Sequence, residues 1–505
     1  MGRLRKRARK VARKVFWATL SLLVVFIGVL VGNMLTTRSR QIEVEPIEVV
    51  PVDPESTRRF ADAVKIPTIS HQNPARFDTE VFDEFRQFLE ANYPRLHESL
   101  SMSTGLTFGD DRNQSLLFEW KGNVDSDALP ILLMAHFDVV GIEASTVDEW
   151  THPPFSGEIA EGDIWGRGTL DDKCAVIALC EAAEGLLEQG FQPNRTVYLS
   201  FGHDEEVGGT YGNKLIAKWM GEQGKRLEFV LDEGGGIFND VPGLGQPAAL
   251  IGIGEKGFLT VKLTVNLDDT GHSSIPPHET AISILAKAIV RLQDQPFPAR
   301  LDGGAGDMLT FVGPEMPFAN RLAVSNRWLF EPLIRKQLAS SAVGNAAIRT
   351  TIAPTIIDGG FKDNVLPSEA SVTLNLRLLP GDQIKGAVEY LREVVDDERV
   401  TVSEPLLGKD PSRLSSADSD SFEMLHRTIK EVYPDVVVAP FVVVAGTDAS
   451  HYDSESLSNH VYRFAPWRLG QEEIKRIHGI NERIPQADFE NMIRFYRRLL
   501  QNAAD

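Results

Sequence analysis

A regular alternation of short apolar runs with helical stretches, which starts near residue 56, constrains this fold more than any other feature. Strands are predicted over 129–140, 195–202 and 227–236, and helices over 172–190 and 211–224. Strands that alternate with helices tend to pair in parallel, because each crossover helix lies against a face of the sheet. The sequence therefore predicts a doubly wound α/β domain with a mainly parallel sheet.

A different pattern interrupts this alternation between residues 255 and 377. Residues 256–274 alternate polar and apolar side chains, which is typical of a strand with one exposed face. There follow a helix near 278–294, an irregular Pro- and Gly-rich stretch, and strands within 345–357 and 369–380. We expect a smaller α+β domain at 255–377, inserted between the two parts of the larger domain, 56–254 and 378–505. The second part continues with helices near 383–397 and 419–432, a strand over 436–444 and a terminal helix from about 486.

The N-terminus differs from the rest of the chain. Residues 1–14 carry eight Lys or Arg and no acid, and residues 15–35 form an uncharged run of 21 residues. A helix of that length spans the hydrocarbon core of a bilayer. A cleaved signal peptide is the alternative, but the apolar run is long for one and no clear cleavage site follows. We expect a single-pass membrane anchor, with the basic segment in the cytoplasm and the body on the other side. The Pro- and acid-rich residues 36–55 are interpreted as a stalk.

The charge of the body argues against a nucleic-acid partner. Ten of the 52 Lys and Arg lie in residues 1–40, so the remainder holds 42 of them against 71 Asp and Glu. An acidic body repels a phosphate backbone. We therefore expect no nucleic-acid binding and interpret the basic N-terminus as a topology signal.

Two motifs are not expected to carry chemistry. Cys174 and Cys180 lie six residues apart in a predicted helix, which suits neither a disulfide nor a CxxC metal site. We interpret both as buried apolar residues. Residues 252–257, GIGEKG, match GxGxxG, but a dinucleotide fingerprint opens a helix and a strand pattern follows here. This motif is interpreted as the turn into a strand.

Polar clusters follow the predicted strands, at the edge where open α/β sheets place their sites. They are His136 with Asp138, Asp171 with Asp172, His203 through Glu206, and Asp232 with Glu233. Taken singly, each has a structural alternative: a strand-end pair, a helix N-cap, a solvated loop or a turn. Together they form a set without thiolates, which favours a divalent ion such as zinc in a mixed nitrogen and oxygen site. The surplus of carboxylates favours two ions sharing one bridging carboxylate, as in hydrolytic enzymes.

A resemblance to a known family rests on eight motifs in order: MAHFDVV, WTHPPFSG, GRGTLDDK, GHDEEVGG, LDEGGG, GHSSIPPHET, NVLP and RIHGINE. Together they resemble the two-zinc metallopeptidase family of aminoacylase, acetylornithine deacetylase, succinyl-diaminopimelate desuccinylase and carnosinase. The similarity covers about residues 56–505. It is strongest to the carboxypeptidase S branch and to the secreted hydrolase/synthases of N-fatty-acyl amino acids.

The resemblance implies two Zn²⁺ ions per subunit and a role for each site residue. It implies that Asp171 bridges the ions, that Glu205 is the general base and that Asp138 acts behind His136. Asp232 is the alternative to its neighbour Glu233 as a metal ligand. The implied metal ligands are His136, Asp171, Glu206, Glu233 and His478.

The resemblance also implies that the inserted domain is a lid and a homodimer interface. It places His272, Asn364 and Arg377 at the substrate carboxylate or oxyanion. The alternatives are a surface ion pair for Arg377 and a turn residue for Asn364. After Gly446–Asp448 the family often has an arginine two residues on, where this chain has Ser450 followed by His451. Either His451 substitutes for that arginine or the recognition of the substrate end differs, so this departure leaves specificity open.

These observations predict a membrane-anchored zinc metallohydrolase that cleaves the amide bond of peptides with a free terminal carboxylate. An N-acyl amino acid amidohydrolase/synthase is the alternative, because the same site residues serve both substrates. A catalytically dead binding protein on the same scaffold is the alternative from another class.

Overall fold

A computed structural model describes residues 2–110, 112–123, 127–268 and 271–504. The helices in these ranges are α1 (Gly2–Thr36), α2 (Ser56–Val64), α3 (Thr79–Asn92), α4 (Pro94–Ser99), α5 (Gly105–Phe108), α6 (Lys173–Glu188), α7 (Asn213–Glu222), α8 (Ala281–Asp294), α9 (Gly303–Val312), α10 (Phe318–Ser325), α11 (Arg327–Leu338), α12 (Ala342–Ile348), α13 (Ile384–Val395), α14 (Asp420–Val432), α15 (Gln471–Arg476) and α16 (Gln486–Ala504). The strands are β1 (Ser101–Ser103), β2 (Leu116–Trp120), β3 (Ile131–His136), β4 (Glu158–Ala160), β5 (Asp163–Trp165), β6 (Val197–Gly202), β7 (Leu227–Asp232), β8 (Gly236–Phe238), β9 (Ala248–Glu255), β10 (Gly257–Asn266), β11 (Gly271–His272), β12 (Thr351–Gly359), β13 (Val365–Leu366), β14 (Glu369–Leu378), β15 (Val400–Val402), β16 (Leu407–Lys409), β17 (Val437–Val443), β18 (Ser458–Arg463), β19 (Arg468–Leu469) and β20 (Arg483–Pro485).

The larger sheet is mixed, with both parallel and antiparallel strand pairs. Its strand order is β1-β2-β6-β3-β7-β18-β9-β8-β19, with β17 also paired to β9. The inner strands β6, β3, β7 and β18 are parallel, as the alternation predicts. Toward the edges, β2 pairs antiparallel with β6 and β8 pairs antiparallel with β9. Antiparallel neighbours need no crossover helix, so strand and helix alternation does not reveal them.

The core of this domain is formed where helices pack against the inner strands. Every residue of β3 and β6 is buried. Helix α6 is buried along most of its length and packs on α16, because its Ala and Cys side chains allow close approach. Both cysteines are free and buried, as predicted. Each fully buried Leu or Ile in such a core contributes about 1.5–3 kcal/mol to folding.

A second sheet, which is antiparallel, is formed by strands from residue 257 onward. Its strand order is β12-β14-β10-β15, with β16 also paired to β10. Strand β10 alternates buried with partly exposed residues along its length, which confirms the period-two interpretation. Its buried face packs with α8 and α13 in a separate hydrophobic core. The sheet takes β15 and β16 from beyond residue 377, the limit expected for the inserted domain. The GIGEKG motif leads into strand β10, as predicted, but its first four residues are the end of strand β9 and do not form a turn.

The stretch after α8, predicted to be irregular, contains four helices, α9 to α12. Gly303 opens α9, and Pro317 directly precedes α10. At these positions proline and glycine separate the helices instead of preventing them, because both residues are tolerated at helix ends, whereas Pro332 lies inside α11. Residues 342–348 are likewise helical, so the strand expected over 345–357 begins only at Thr351.

Residues 36–55, interpreted as a stalk, lie along the body. The Gln41 amide donates to the carbonyl of Val438 at 2.9 Å and accepts from its N–H at 2.8 Å. The Ile47 N–H donates to the Glu431 carbonyl at 3.0 Å. Before this segment, the stretch Arg9–Thr36 of α1 is long and apolar enough to cross a membrane, a test that a signal sequence also passes.

His426 lies beneath this segment and makes the stability of the chain sensitive to acid. Its Nε2 accepts from the Ile42 N–H at 3.5 Å. Burial, together with the charge of Lys430, lowers the pKa of His426 to about 3. An unfolded histidine titrates at about 6.5, so the unfolded state binds the extra proton as the pH falls below that value. The neutral imidazole therefore stabilises the fold above about pH 6.5, and this stability is lost as the pH falls toward 3.

The variant His426→Gln keeps a hydrogen-bond acceptor but cannot take up a proton. We expect the wild-type chain to lose about 2 kcal/mol more stability than this variant between pH 7 and pH 5, because one proton costs about 1.4 kcal/mol per pH unit. Urea unfolding at the two pH values measures the difference. Parallel losses in the two proteins would contradict it.

Candidate metal centre

The predicted site residues meet at one edge of the larger sheet. His136 and Asp232 are the last residues of β3 and β7. Glu205 and Glu206 begin a short 3₁₀ helix three residues after β6 ends. Because these three strands are parallel neighbours, their carboxyl ends lie side by side. The inner part of the sheet therefore delivers the polar clusters to one place, as the sequence predicts.

Four of the five predicted ligands contact one another. Atoms of His136, Asp171 and Glu206 lie within 4.8 Å of each other. His136 Nε2 is 2.9 Å from Asp171 Oδ1, and His478 Nε2 is 3.0 Å from Asp171 Oδ2. His478 Nε2 is also 3.1 Å from Glu206 Oε2. The Asp171 carboxylate thus lies between two imidazoles with one oxygen toward each, the arrangement that a bridging ligand requires.

This donor set fits divalent cations. It combines imidazole nitrogens with carboxylate oxygens, and the side chain of Asp171 is largely buried. Glu206 Oε1 is buried and has no hydrogen-bond partner among the described residues. A buried carboxylate oxygen without a partner is costly, and a cation would satisfy it.

Further carboxyl groups crowd the same space. Burial, with nearby negative charge, raises the pKa of Glu205, Glu233 and Asp448 well above the ordinary range. For Glu205 the neighbouring charges are those of Asp448, Glu233 and Glu206. So many buried acids in one place indicate a site built to hold positive charge.

Asp138 holds the ligand cluster in place through hydrogen bonds. It is fully buried and accepts hydrogen bonds from Ser70 Oγ at 2.7 Å and from the N–H groups of Glu205 and Glu206 at 3.1 Å each. His136 Nδ1 lies 3.0 Å from the Asp138 carbonyl oxygen and 3.4 Å from its carboxylate. Burial works to raise the pKa of Asp138, but its bonds to His136 and Ser70 outweigh this and hold the pKa below its ordinary value. One side chain thus orients both the imidazole and the two glutamates.

The variant Asp138→Asn tests this role. Its amide can accept only one of the two backbone N–H bonds, because the other end of the group is a donor. We expect metal affinity or kcat/KM to fall about 10–100-fold, the usual cost of losing a group that orients a metal ligand. Metal titration and steady-state kinetics measure the effect, with Asp294→Asn, an exposed residue at the end of α8, as the control. Unchanged values would contradict the role.

Two acids of the site were missed by the sequence analysis. Asp448 accepts from Asn213 Nδ2 at 2.7 Å, and a Cβ on Gly209 would lie 2.0 Å from its Oδ1, so that glycine allows a close approach. Glu482 pairs with Arg167 and accepts from the N–H groups of Gly168 and Leu170. Burial raises the pKa of Glu482 to about 7, while Arg167 counters it. Both acids lie in motifs already noted, GTD and RIHGINE, which were the available signal.

Asp232 and Glu233 differ in their contacts. Asp232 Oδ2 accepts from the Ala449 N–H at 2.7 Å, which holds the loop that carries Asp448. The pKa of Glu233 is raised by burial and by the charges of Asp171, Asp232 and Asp172. The negative charge of Asp171 thus acts on Glu233, whereas one Asp232 oxygen is already engaged in a hydrogen bond. This contrast favours Glu233 as the ligand.

Of the predicted substrate residues, Arg377 lies on the second sheet, and His272 and Asn364 lie at the two-stranded ribbon of β11 and β13. His272 is exposed on β11, which pairs with β13, and the neighbouring Ser273 N–H donates to the Asn364 carbonyl at 3.2 Å. Arg377 is exposed on β14. Among the residues that the structure describes, no hydrogen bond or ion pair joins these three side chains to the metal cluster. Their roles stay predictions.

At the departure from the expected arginine, Ser450 contacts a lysine from the second sheet. Lys409 on β16 contacts Ser450 Oγ and lies 3.4 Å from Glu255 Oε1. His451 Nε2 lies 3.8 Å from Asp448 Oδ1. Burial lowers the pKa of His451 to about 4, with the charge of Lys409 adding to the effect, so Lys409 is the cation of this pair.

Comparisons with known proteins agree with this geometry. The family described as Peptidase family M20/M25/M40 matches residues 132–502. Probable carboxypeptidase S-like 2 of Dictyostelium discoideum is 39% identical over 495 residues, 95% of this chain and 93% of that protein. N-fatty-acyl-amino acid synthase/hydrolase PM20D1 of Xenopus tropicalis is 39% identical over 444 residues, 87% of this chain and 84% of that protein.

The fold has solved counterparts. An M20 family metallo-carboxypeptidase, Sso-CP2 from Sulfolobus solfataricus, superposes with a TM-score of 0.61 at 20% identity, covering 89% of this chain and 99% of that one. Human carnosine dipeptidase 1 superposes with a TM-score of 0.58 at 16% identity, covering 89% of this chain and 96% of that one. The matched range of the family includes the whole metal cluster, from His136 to His478.

Proposed function

We infer the function from one premise: this chain belongs to Peptidase family M20/M25/M40 and is a hydrolytic enzyme. We propose that it is a zinc metallohydrolase that cleaves the amide bond of peptides with a free terminal carboxylate. The observation that carries this proposal is the Asp171 carboxylate between the imidazoles of His136 and His478, at 2.9 and 3.0 Å. The name of a relative, probable carboxypeptidase S-like 2, supports the substrate class.

Each residue of the site has a defined task in this proposal. Two Zn²⁺ ions, when bound, would lower the pKa of a water molecule and polarise the substrate carbonyl. Glu205 accepts a proton from the attacking water on its carboxylate and later gives it to the leaving amine, as the C–O bond forms and the C–N bond breaks. Asp138 fixes the backbone of Glu205 for this exchange by accepting its N–H at 3.1 Å. The ligands in this proposal are His136, Asp171, Glu206, Glu233 and His478.

Recognition of the substrate carboxylate is assigned to the second sheet. Lys409 supplies a positive charge beside Ser450, where the family often has an arginine. His272, Asn364 and Arg377 would complete the substrate site if the second sheet acts as a lid over the metal cluster. A homodimer is proposed through β12, an edge strand whose outer residues Ile356 and Ile357 are exposed.

We further propose that α1 anchors the chain in a membrane, with the body on the non-cytoplasmic side. The support is the basic segment at the start of the chain, together with the length and hydropathy of Arg9–Thr36. A signal sequence would share these features, and the size of the mature N-terminus separates the two.

A substrate panel tests the proposed activity. The full chain, loaded with zinc, is given dipeptides such as Gly-Leu and long-chain N-acyl amino acids, with and without chelator. We expect zinc-dependent release of the C-terminal amino acid from the peptides. Preferred cleavage of the acyl compounds would instead support the alternative of an N-acyl amino acid hydrolase/synthase, which the similarity to PM20D1 favours. Metal binding without cleavage of either class would indicate a binding protein.

A further inference from the structure

Helices α10 and α11 present an exposed apolar stripe. Trp328, Leu329, Pro332 and Leu333 follow one another at helical spacing, so they lie on one face of α11. Trp328 is 64% exposed and Leu333 is 58% exposed. Phe318, at the start of α10, is 63% exposed. A run of large apolar side chains this exposed indicates a surface with a further partner.

The opposite face of α11 holds the helix in place. Ile334 is buried in a small hydrophobic core with Leu301, Leu309 and Ile348. The Arg327 guanidinium donates to the Gly306 carbonyl at 3.4 Å. The stripe is therefore presented by a packed helix whose orientation is fixed, and it is not the result of a loosely attached segment.

The stripe lies beside the apolar part of α1. The ring centroids of Phe26 and Trp328 are 6.4 Å apart in an edge-to-face contact. Asn33 Nδ2 donates to Asn326 Oδ1 at 2.8 Å, and Asn326 Nδ2 donates to the Leu30 carbonyl at 2.9 Å. Asn33 is the one amide side chain in the uncharged run 15–35, and a polar group in hydrocarbon needs such a partner.

The contacts on α1 indicate how deep the stripe would lie in a bilayer that α1 spans. Leu30 and Met34, the buried apolar residues of α1, flank the Asn33 contact. Phe26 lies nine residues before Leu35, the end of the apolar run, which is about 14 Å along a helix axis at 1.5 Å per residue. Half of a hydrocarbon core is about 15 Å thick. A residue packed on Phe26 therefore lies within the outer half of any bilayer that α1 spans.

We propose that α10 and α11 insert this stripe into the non-cytoplasmic leaflet beside α1, so that lipid acyl chains cover it. The inference rests on the anchor proposed above. Lys336 continues the stripe one turn after Pro332, so a positive charge follows the apolar residues as in membrane-interface helices, while the neighbouring Arg335 pairs with Glu331 on the same helix. The body is then held against the membrane at two points, α1 and the α10–α11 pair.

Spin labels on the full chain test the depth of the stripe. Cys174 and Cys180 are fully buried, so an introduced cysteine can be labelled selectively. Leu333→Cys reports on the stripe and Val25→Cys on the anchor. Met102→Cys, on the exposed edge strand β1, is the aqueous control. Helix α9, which precedes α10 and α11, packs against β17, and β1 and β17 lie toward opposite sides of the sheet. Each labelled protein is reconstituted in phosphatidylcholine vesicles, and collision rates with oxygen and with a nickel chelate are compared.

We expect the labels at 25 and 333 to collide with oxygen in preference to the chelate, and the label at 102 to show the reverse. A label at 333 that meets the chelate while the label at 25 stays in lipid overturns the insertion and leaves the anchor standing. Spin–spin broadening at 333, with low access to both reagents, overturns it in favour of a second copy of the chain. A water-exposed label at 25 overturns the anchor and the insertion together. Leu329→Cys repeats the test if Leu333→Cys folds poorly.

Discussion

Replacement of Glu205 by Gln is expected to lower kcat for amide hydrolysis about 10²–10⁴-fold while the metal content of the protein stays unchanged. Glutamine keeps the size of the side chain and removes the carboxylate that moves the proton. The backbone of residue 205 would stay in place, because its N–H donates to Asp138 at 3.1 Å whatever the side chain. The effect is therefore expected in kcat more than in KM.

The neighbouring glutamate provides the matched comparison. Glu206 lies 3.1 Å from His478 and belongs to the cluster that offers atoms to a cation, so Glu206→Gln is expected to lose bound metal as well as activity. Metal analysis and single-turnover kinetics on both variants separate the two roles. An active Glu205→Gln enzyme, or one that has lost its metal, would show that the assignments of the two residues are wrong.

Replacement of Asp171 by Asn is expected to remove most of the bound metal and to lower activity by at least about 100-fold. Burial opposes the ionisation of Asp171, yet its hydrogen bonds to His136 and His478 hold its pKa well below the ordinary range. A side-chain amide presents one oxygen and one NH₂ group, so it can face only one of the two imidazole sites as a ligand.

Zinc titration of activity measures this loss, and prolonged dialysis against chelator should reproduce it in the wild-type chain. Asp172→Asn is the control, because Asp172 is the next residue and is fully buried, but its Oδ2 accepts from the His136 backbone N–H at 3.4 Å without lying between the two imidazoles. Full zinc occupancy in Asp171→Asn would contradict the bridging role.

Much of this site could be predicted because β3, β6 and β7 can be recognised from their own short stretches of sequence. Each is a short buried run that ends near its acids, and parallel neighbours end at the same edge. Asp448 and Glu482 were missed because each reaches the site from a loop, where no periodicity indicates the direction of a side chain. Their contacts join residues more than 200 positions apart, which only the folded chain reveals.

In the fold, too, some features could be predicted from local sequence and others could not. The alternation of strands and helices predicts the parallel centre of the sheet but not the antiparallel pairs at its edges, since those need only a loop between strands. The distance from His272 to the metal cluster depends on how two sheets are placed relative to one another. That placement is set by tertiary packing, and no local pattern encodes it.

The two hydrogen bonds between Gln41 and Val438 also protect the chain from misassembly. Among the described strands, β17 pairs only with β9, so no other strand covers the second edge of this buried, valine-rich strand. Strand edges that lose their cover are templates for aggregation. The side chain of Gln41 occupies one position on that second edge as a neighbouring strand would. A soluble form of the enzyme should therefore begin before Gln41, because a start at residue 56 would uncover this strand.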